Sequence, residues 1–148
     1  DRVISRIVTL LQRAANRAKL RIRCAPDLAE LPAVTGSAAD FEQIAFILVE
    51  NAVHAADGRR WRRMNIDGRV RDGHVVLTFQ DDGSGIAPEN LERVFEPFFT
   101  TKPREKGTGL GLTIARQILQ GYGGRLEVES EKDNGTIFTL TLPIQSLF

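Results

Sequence analysis

The hydrophobic positions of this chain follow two periods, and helical and extended stretches alternate along it. Near the start, apolar residues recur every three or four positions from Val3 to Ala18, which predicts a helix. The next stretch, KLRIRC, alternates apolar residues with arginines, as a half-buried strand does, and Pro26 ends it. The sequence therefore predicts a helix followed by a strand in this part of the chain.

The longest apolar segment is FEQIAFILVENAVHAA, residues 41–56, and it predicts a second helix. Ser37 with Asp40 three positions later is similar to a capping box and marks the start of this helix. Asp57-Gly58 mark its end.

The remaining pattern predicts two pairs of strands separated by a third helix. MNIDGRV and HVVLTFQ flank a hairpin turn at Asp72-Gly73, and RLEVES and TIFTLTLP flank a turn at Asn134-Gly135. The third helix starts near Gly109 and reaches about Gln120. This order of elements predicts an α+β fold, with a mixed sheet and helices packed on one face.

Composition narrows the range of functions. With 148 residues and 42% hydrophobic content, the chain is expected to form one domain over residues 1–148. The formal charge of +1 provides no overall field that would favour nucleic acid or an anionic membrane. The lone Cys24 cannot form an internal disulfide, and no apolar run approaches the roughly 18 residues of a membrane span. We expect a cytoplasmic, monomeric domain without membrane contact.

An amide lies on the apolar face of the second predicted helix. Asn51 falls on the same side as Ile44, Ile47 and Leu48, where a polar group needs a hydrogen-bond partner. It is either a structural residue bonded to a backbone turn or a ligand of Mg²⁺, which prefers oxygen donors. His54, one turn further, either lies on an exposed polar edge or reaches a phosphate group.

Two glycine-rich turns supply further candidate chemistry. Asp81 opens DDGSG at a strand end, where its carboxylate can accept a hydrogen bond from the amine of adenine, whereas the carbonyl of guanine would be repelled. The second turn, residues 107–112 (GTGLGL), opens a helix, and backbone N–H groups at such a start bind anions such as phosphate. Taken alone, each motif is also compatible with a plain polar turn.

The segment between these turns has the composition of a lid. Phe95, Phe98 and Phe99 can anchor it, while TTKPREKG is too charged to be buried. Lys102 and Lys106 could offset the charge of a triphosphate, and the alternative is a solvated loop.

Taken together, ENAVHAA, DDGSGI, FEPFFTTK and GTGLGL occur in the order and spacing of the N, G1, F and G2 boxes of sensor histidine kinases. The chain closely resembles their catalytic, ATP-binding domain, of the superfamily that includes gyrase, Hsp90 and MutL. The resemblance implies a Bergerat fold, a two-layer α/β sandwich with a mixed, mostly antiparallel sheet and a mobile ATP lid.

The resemblance also implies a function and partners. It implies that the domain binds ATP with Mg²⁺ and transfers the γ-phosphoryl group to a histidine on a separate dimerisation and phospho-acceptor domain. The parent kinase would be a homodimer, with a membrane anchor in some cases and a response regulator as an indirect partner. Neither His54 nor His74 has the sequence context of an acceptor histidine.

Matched by position, the resemblance implies roles for individual residues. Asn51 would bind Mg²⁺ and act in catalysis together with Lys102 and Lys106. Ile47 departs from the family, which often has a polar residue there, and this disfavours efficient hydrolysis of ATP. The implied nucleotide-binding residues are Asn51, His54, Asp81, Gly83, Gly85, Ile86, Phe99, Thr108, Gly109, Leu110, Gly111, Leu112 and Thr136.

Three alternatives stay open at this point. The domain could be a nucleotide-dependent docking module without catalysis, or an anti-sigma-type serine kinase on the same fold. The third is nucleic-acid binding through GRRWRRMNIDGRVR, residues 58–71, where arginines surround Trp61. We expect no nucleic-acid partner, because the net charge is small.

Overall fold

The computed structural model describes residues 20–55, 62–99 and 109–145, and these residues form a mixed sheet covered by helices. The strands are β1 (Leu20–Cys24), β2 (Arg62–Arg71), β3 (His74–Asp81), β4 (Arg125–Ser130) and β5 (Thr136–Pro143). The helices are α1 (Ala38–Ala55), α2 (Pro88–Leu91), α3 (Gly111–Gly121) and a 3-10 helix over Pro26–Glu30.

The sheet is mixed and mostly antiparallel, as predicted. Its strand order over the described residues is β1-β2-β3-β5-β4. β1 pairs with β2 in parallel, while the pairs β2–β3, β3–β5 and β4–β5 are antiparallel. β5 therefore lies inside the sheet, although β4 precedes it in the chain.

The core lies between one face of the sheet and the helices. In β5 every second residue is buried, starting at Thr136, so that one face of the strand points inward. The helices and the sheet both contribute side chains that are almost fully buried, and burial of each large one stabilises the fold by about 1.5–3 kcal/mol. These buried side chains include Ile44 and Leu48 of α1, Ala115 and Leu119 of α3, and Met64, Phe138 and Leu140 of the sheet.

The start of α1 is fastened to the end of α3. The Ser37 hydroxyl accepts a hydrogen bond from the Asp40 N–H at 3.1 Å, so the predicted cap is confirmed. The Tyr122 hydroxyl donates to the Asp40 carboxylate and accepts from the Ser37 N–H at 3.3 Å, while its ring lies 5.7 Å from that of Phe41. At the other end of the pair, Gly111 lies against Ile47, so the two helices run antiparallel.

The loops agree with the sequence pattern at one hairpin and differ at the other. Asp72 and Gly73 have φ angles of 51° and 74°, as the predicted two-residue turn requires. The turn predicted at Asn134-Gly135 is instead a loop over residues 131–135. It is longer because it contacts the loop that follows Asp81 at the end of β3. In this contact the Asp133 N–H donates to the Ser84 carbonyl.

Two further outcomes concern helices. The third predicted helix starts at Gly111, two residues later than Gly109. The predicted helix near Val3 to Ala18 lies outside the described residues. Among the residues that are described, no helix is both long and apolar enough to cross a bilayer.

Candidate nucleotide-binding site

Asp81, the last residue of β3, is a buried carboxylate at the edge of the core. Only 6% of it is exposed. Its Oδ1 accepts a hydrogen bond from the Gly83 N–H at 2.9 Å, and the backbone N–H of Thr136 donates to it from β5. Because Thr136 lies directly opposite in the β3–β5 register, the two residues form one end of the sheet's inner face.

The environment of this carboxylate shifts its titration. Burial raises the pKa of Asp81 above its ordinary value, the hydrogen bonds from Gly83 and Thr136 act in the opposite direction, and the neighbouring charge of Asp82 raises it further. A buried acid at a strand end is typical of a functional site, because it costs stability that a purely structural residue would not cost.

The loop after Asp81 is fixed against the loop between β4 and β5. The Ile86 N–H donates to the Ser130 hydroxyl at 2.8 Å. Gly85 has a φ of 72°, and a side chain there would overlap the backbone carbonyl of Glu131. Glycine is therefore required at this position both by its backbone angle and by the close approach of the neighbouring loop.

Asn51 of α1 is half-buried, and its amide nitrogen is already used. The nitrogen donates to the Ile47 carbonyl at 2.9 Å, and since a carbonyl oxygen can only accept, this contact fixes which side of the amide is the nitrogen. The amide oxygen is the atom that suits a hard cation such as Mg²⁺. The structure thus shows a backbone hydrogen bond within the helix itself, and the role of Asn51 as a ligand of Mg²⁺ stays a prediction.

Ile47 lies under the first turn of α3. It is 8% exposed, and a Cβ atom at Gly111 would lie 3.3 Å from its Cγ2. In the family that the chain resembles, the position of Ile47 is often polar. In this chain it makes an apolar contact between α1 and α3. This contact provides no group that could act as a base or orient a water molecule.

The phenylalanine segment is anchored to α3, but not by all three rings. Phe95 is half-buried, with its carbonyl accepting from the Thr113 hydroxyl at 2.9 Å and the Arg116 guanidinium 5.0 Å from its ring centroid. The Arg93 guanidinium stacks on the Phe99 ring, with its carbon 4.5 Å from the ring centroid.

Phe98 differs from the expectation that all three phenylalanines anchor this segment, since 73% of it is exposed. The reason is its backbone. Phe98 has a φ of 65°, unusual for a bulky residue, and Gly109 packs directly against its backbone atoms.

Several of the predicted site residues are thus brought together, while others cannot be placed. Asp81, Gly83, Gly85, Ile86 and Thr136 form one cluster, and Gly109, Leu110, Gly111 and Leu112 begin α3. His54 belongs to α1, but its side chain is not described. Lys102, Lys106 and Thr108 lie outside the described residues.

Two residues outside the predicted set of site residues make contacts beside the site. Thr113 is buried and binds the Phe95 carbonyl, and Ser130 binds the loop after Asp81. A signal for Ser130 exists in the pattern of β4, since it follows Leu126 and Val128 in the inward-facing register. A polar residue in an otherwise apolar register needs partners, and here they include the loop after Asp81.

The arginine-rich stretch is partly outside the described residues, which resume at Arg62. In β2, Arg63, Arg69 and Arg71 are exposed and alternate with buried Met64 and Ile66. This alternation is that of a strand with one face in the core and the other in solvent.

Comparison with known proteins identifies the family. A sequence model of the family described as "Histidine kinase-, DNA gyrase B-, and HSP90-like ATPase" matches residues 36–146. The chain belongs to this family. The match extends from the residues before α1 to the end of β5, and so it includes the Asp81 cluster, Asn51 and the start of α3.

Curated relatives place this ATPase-family domain among sensor histidine kinases. It is 38% identical over 105 residues to the sensor histidine kinase ZraS of Salmonella typhimurium, which covers 69% of this chain and 21% of ZraS. It is 36% identical over 141 residues to the two-component sensor PprA of Pseudomonas aeruginosa, covering 91% of this chain and 15% of PprA. The chain thus spans about a fifth or less of the length of these relatives.

Solved structures agree in fold. The catalytic domain of histidine kinase ThkA matches with a TM-score of 0.78 at 25% identity, covering 96% of this chain and 90% of that domain. The mycobacterial sensor histidine kinase MprB matches with a TM-score of 0.76 at 26% identity, covering 96% and 92%. The predicted two-layer Bergerat fold and the predicted histidine kinase catalytic, ATP-binding domain are therefore confirmed.

Proposed function

We propose that this ATPase-family domain binds ATP with Mg²⁺ and transfers the γ-phosphoryl group to a histidine on a separate dimerisation and phospho-acceptor domain. The observation that carries the proposal is the buried Asp81 carboxylate, held by two backbone N–H groups at the end of β3. The similarity of this chain to sensor histidine kinases supports the reaction type.

Asp81 accounts for the choice of nucleotide. An ionised carboxylate only accepts hydrogen bonds, so it suits the exocyclic amine of adenine and repels the carbonyl oxygen that guanine has at that place. With Gly83 and Thr136 donating to it, the carboxylate keeps one orientation. We therefore propose adenine rather than guanine as the base, with Gly83, Gly85 and Ile86 lining the approach to it.

The phosphate end of the site lies at Asn51 and at the start of α3. The Asn51 amide nitrogen is bonded to Ile47, so the amide oxygen would be the Mg²⁺ ligand. Bound Mg²⁺ would neutralise phosphate charge during transfer. The backbone N–H groups around Gly109 to Gly111 suit phosphate oxygens, and we assign Lys102 and Lys106 to the charge of the γ-phosphate.

The reaction exchanges one bond to phosphorus for another. The bond between the γ-phosphorus and the oxygen that bridges to the β-phosphate breaks, and ADP leaves with that electron pair. A bond forms between the γ-phosphorus and an imidazole nitrogen of the acceptor. The imidazole proton goes to a base of the acceptor domain, because the buried Ile47 cannot accept it.

Calorimetric titration of the domain tests the binding part of the proposal. We expect saturable binding of ATP that weakens without Mg²⁺, no binding of GTP, and a loss of affinity on the order of 10- to 100-fold in Asp81→Asn. The matched control is Asp82→Asn, which removes the neighbouring charge at an exposed position and should leave ATP affinity close to that of the wild type.

The acceptor separates the remaining alternatives. After addition of a dimerisation domain, acid-labile phosphate on histidine would support the histidine kinase, and acid-stable phosphate would indicate a serine kinase. ATP binding without any transfer would favour a nucleotide-dependent docking module. No ATP binding by a folded wild-type domain would overturn the proposal.

A further inference from the structure

Ser130 is the point where three parts of the chain meet beside the nucleotide site. It is the last residue of β4, and its hydroxyl is 2.8 Å from the Ile86 nitrogen, 2.7 Å from the Gly135 carbonyl oxygen and 2.9 Å from Thr136 Oγ1. One side chain therefore connects the loop after Asp81, the end of β4 and the start of β5.

The chemistry of these three contacts fixes their directions. A hydroxyl donates one hydrogen bond and accepts two. Ser130 must donate to Gly135, because a carbonyl only accepts, and it accepts from the Ile86 N–H. The Thr136 hydroxyl is therefore the donor in the third contact, so the bonding capacity of Ser130 is filled and the side chain of Thr136 is held in one orientation.

Thr136 in turn holds the base-reading acid. It is 5% exposed, it lies opposite Asp81 in the strand register, and its backbone N–H donates to the Asp81 carboxylate. The Ile86 N–H, the other contact of Ser130, belongs to the loop that also contains Gly83, the second donor to Asp81. Both backbone donors of Asp81 thus lie on segments that Ser130 holds.

We propose that Ser130 is a positioning residue of the nucleotide site, which keeps Thr136 and the loop from Gly83 to Ile86 in the arrangement that orients Asp81 toward adenine. This inference rests on the proposed function. Ser130 acts through Asp81, and no contact of its own with ATP is required.

The test compares Ser130→Ala with a control that removes a hydroxyl elsewhere. Tyr122→Phe loses contacts to Asp40 and Ser37 at the far ends of α1 and α3. The Kd for ATP is measured by calorimetry at a temperature well below the melting temperatures of all variants. It should rise about tenfold in Ser130→Ala and stay near the wild-type value in Tyr122→Phe. Ser130→Thr, which keeps the hydroxyl, should restore most of the affinity.

A pH series gives a readout that a general loss of stability would not change. Loosening the Thr136 N–H removes a hydrogen bond that stabilises the ionised carboxylate, so the pKa of Asp81 should rise further. As pH is lowered, ATP affinity should begin to fall at a higher pH in Ser130→Ala than in the wild type. If Ser130→Ala does not fold, Ser130→Cys, whose thiol bonds weakly, should show the same shift.

The outcomes separate this inference from the proposed function. Wild-type binding of ATP with an unchanged Kd and pH profile in Ser130→Ala would overturn the role of Ser130 alone. An equal loss of affinity in Ser130→Ala and Tyr122→Phe would also overturn it, since the effect would then follow stability. Failure of the folded wild type to bind ATP would overturn both.

Discussion

Asp81 holds a carboxyl group where the fold itself would be better served by a neutral one. Its folded-state pKa is raised, chiefly by burial, so protonation favours the folded state. Its contribution to stability is therefore most favourable below the ordinary pKa of 3.8 and is lost as pH rises through the raised value. A functional role for the charge explains why an acid is tolerated at this position.

We expect Asp81→Asn to stabilise the nucleotide-free domain at neutral pH while it weakens ATP binding. Asparagine keeps an oxygen that can accept from Gly83 and Thr136, but it carries no charge that burial disfavours. Urea unfolding at a series of pH values measures the difference. The advantage of the variant should grow as pH rises from about 3.8, and parallel curves for the two proteins would contradict the assignment.

Two glycines with almost the same backbone angle separate the effect of conformation from that of contact. Gly73 and Gly85 have φ angles of 74° and 72°, but a Cβ atom would meet nothing within 4 Å at Gly73 and would overlap the Glu131 carbonyl at Gly85. Gly73→Ala should cost about 1–2 kcal/mol of unfolding free energy from its backbone alone. Gly85→Ala should cost roughly 3 kcal/mol or more, as denaturant unfolding would show. Equal costs for the two variants would mean that the loop containing Gly85 is not in contact with the loop over residues 131–135.

The pairing of α1 with α3 depends on contacts at both ends. Ile47 and Gly111 meet beside the predicted phosphate site, and Tyr122 meets Asp40 and Ser37 at the opposite end. The contact of Tyr122 with the start of α1 fixes the direction of α3 relative to α1. The apolar contact of Ile47 with Gly111 therefore sets how the start of α3 lies beside Asn51, while the polar contacts of Tyr122 hold only the opposite end of the pair.

Removal of the Tyr122 hydroxyl should lower stability with little change in packing. We expect Tyr122→Phe to cost about 1 kcal/mol, because the ring and its contact with Phe41 remain while two hydrogen bonds are lost. Ser37→Ala should cost a similar amount through loss of the helix cap. In a double-mutant cycle the two costs should not add, and strict additivity would show that the residues do not share one network.

Most of the helices and strands could be predicted from the sequence because their signals are local. The alternation in TIFTLTLP and the apolar stripe of α1 depend on neighbours a few positions away. The loop over residues 131–135 could not, since its length follows from contact with Ser84 and Gly85, far away in the chain. The four-residue helix Pro88–Leu91 is too short to show a period.

The positions of the candidate site residues could be predicted where a motif contains them, and not where a contact between distant segments brings them together. Asp81 and the glycines of the two turns carry recognisable patterns, so their place beside Thr136 and at the start of α3 agrees with expectation. Ser130 belongs to no motif and shows in the sequence only as a polar residue in the apolar register of β4, and its contacts form only when β5 pairs with both β3 and β4. The backbone of Phe98 likewise depends on the later Gly109.

Exposed arginines lie close together on β1 and β2, while the net charge of the whole sequence is small. Arg21, Arg23, Arg63 and Arg69 are exposed on β1 and β2, but Asp67 lies among them, and the net charge is +1. With so small a net charge, the domain should not concentrate phosphate groups strongly enough for nucleic acid to bind.

We therefore expect no retention of the domain on single-stranded DNA at physiological salt. Elution across a salt gradient measures this, with the double variant Arg63→Gln and Arg69→Gln as the control. Wild-type retention that weakens steeply with salt, and that the double variant loses, would show that the arginine face binds nucleic acid.

The place of β5 inside the sheet has a consequence for the order in which the domain becomes competent during synthesis. A nascent chain that has emerged only as far as Ser130 contains Asp81 and Asn51, but β3 and β4 have no strand between them, and neither Gly135 nor Thr136 is available. The proposed adenine site can form only after β5 enters between two strands made earlier, a pairing that spans more than fifty positions between Thr136 and Asp81. We therefore expect that a ribosome-bound fragment lacking β5 does not bind ATP, so that nucleotide binding would begin only when the sheet is complete.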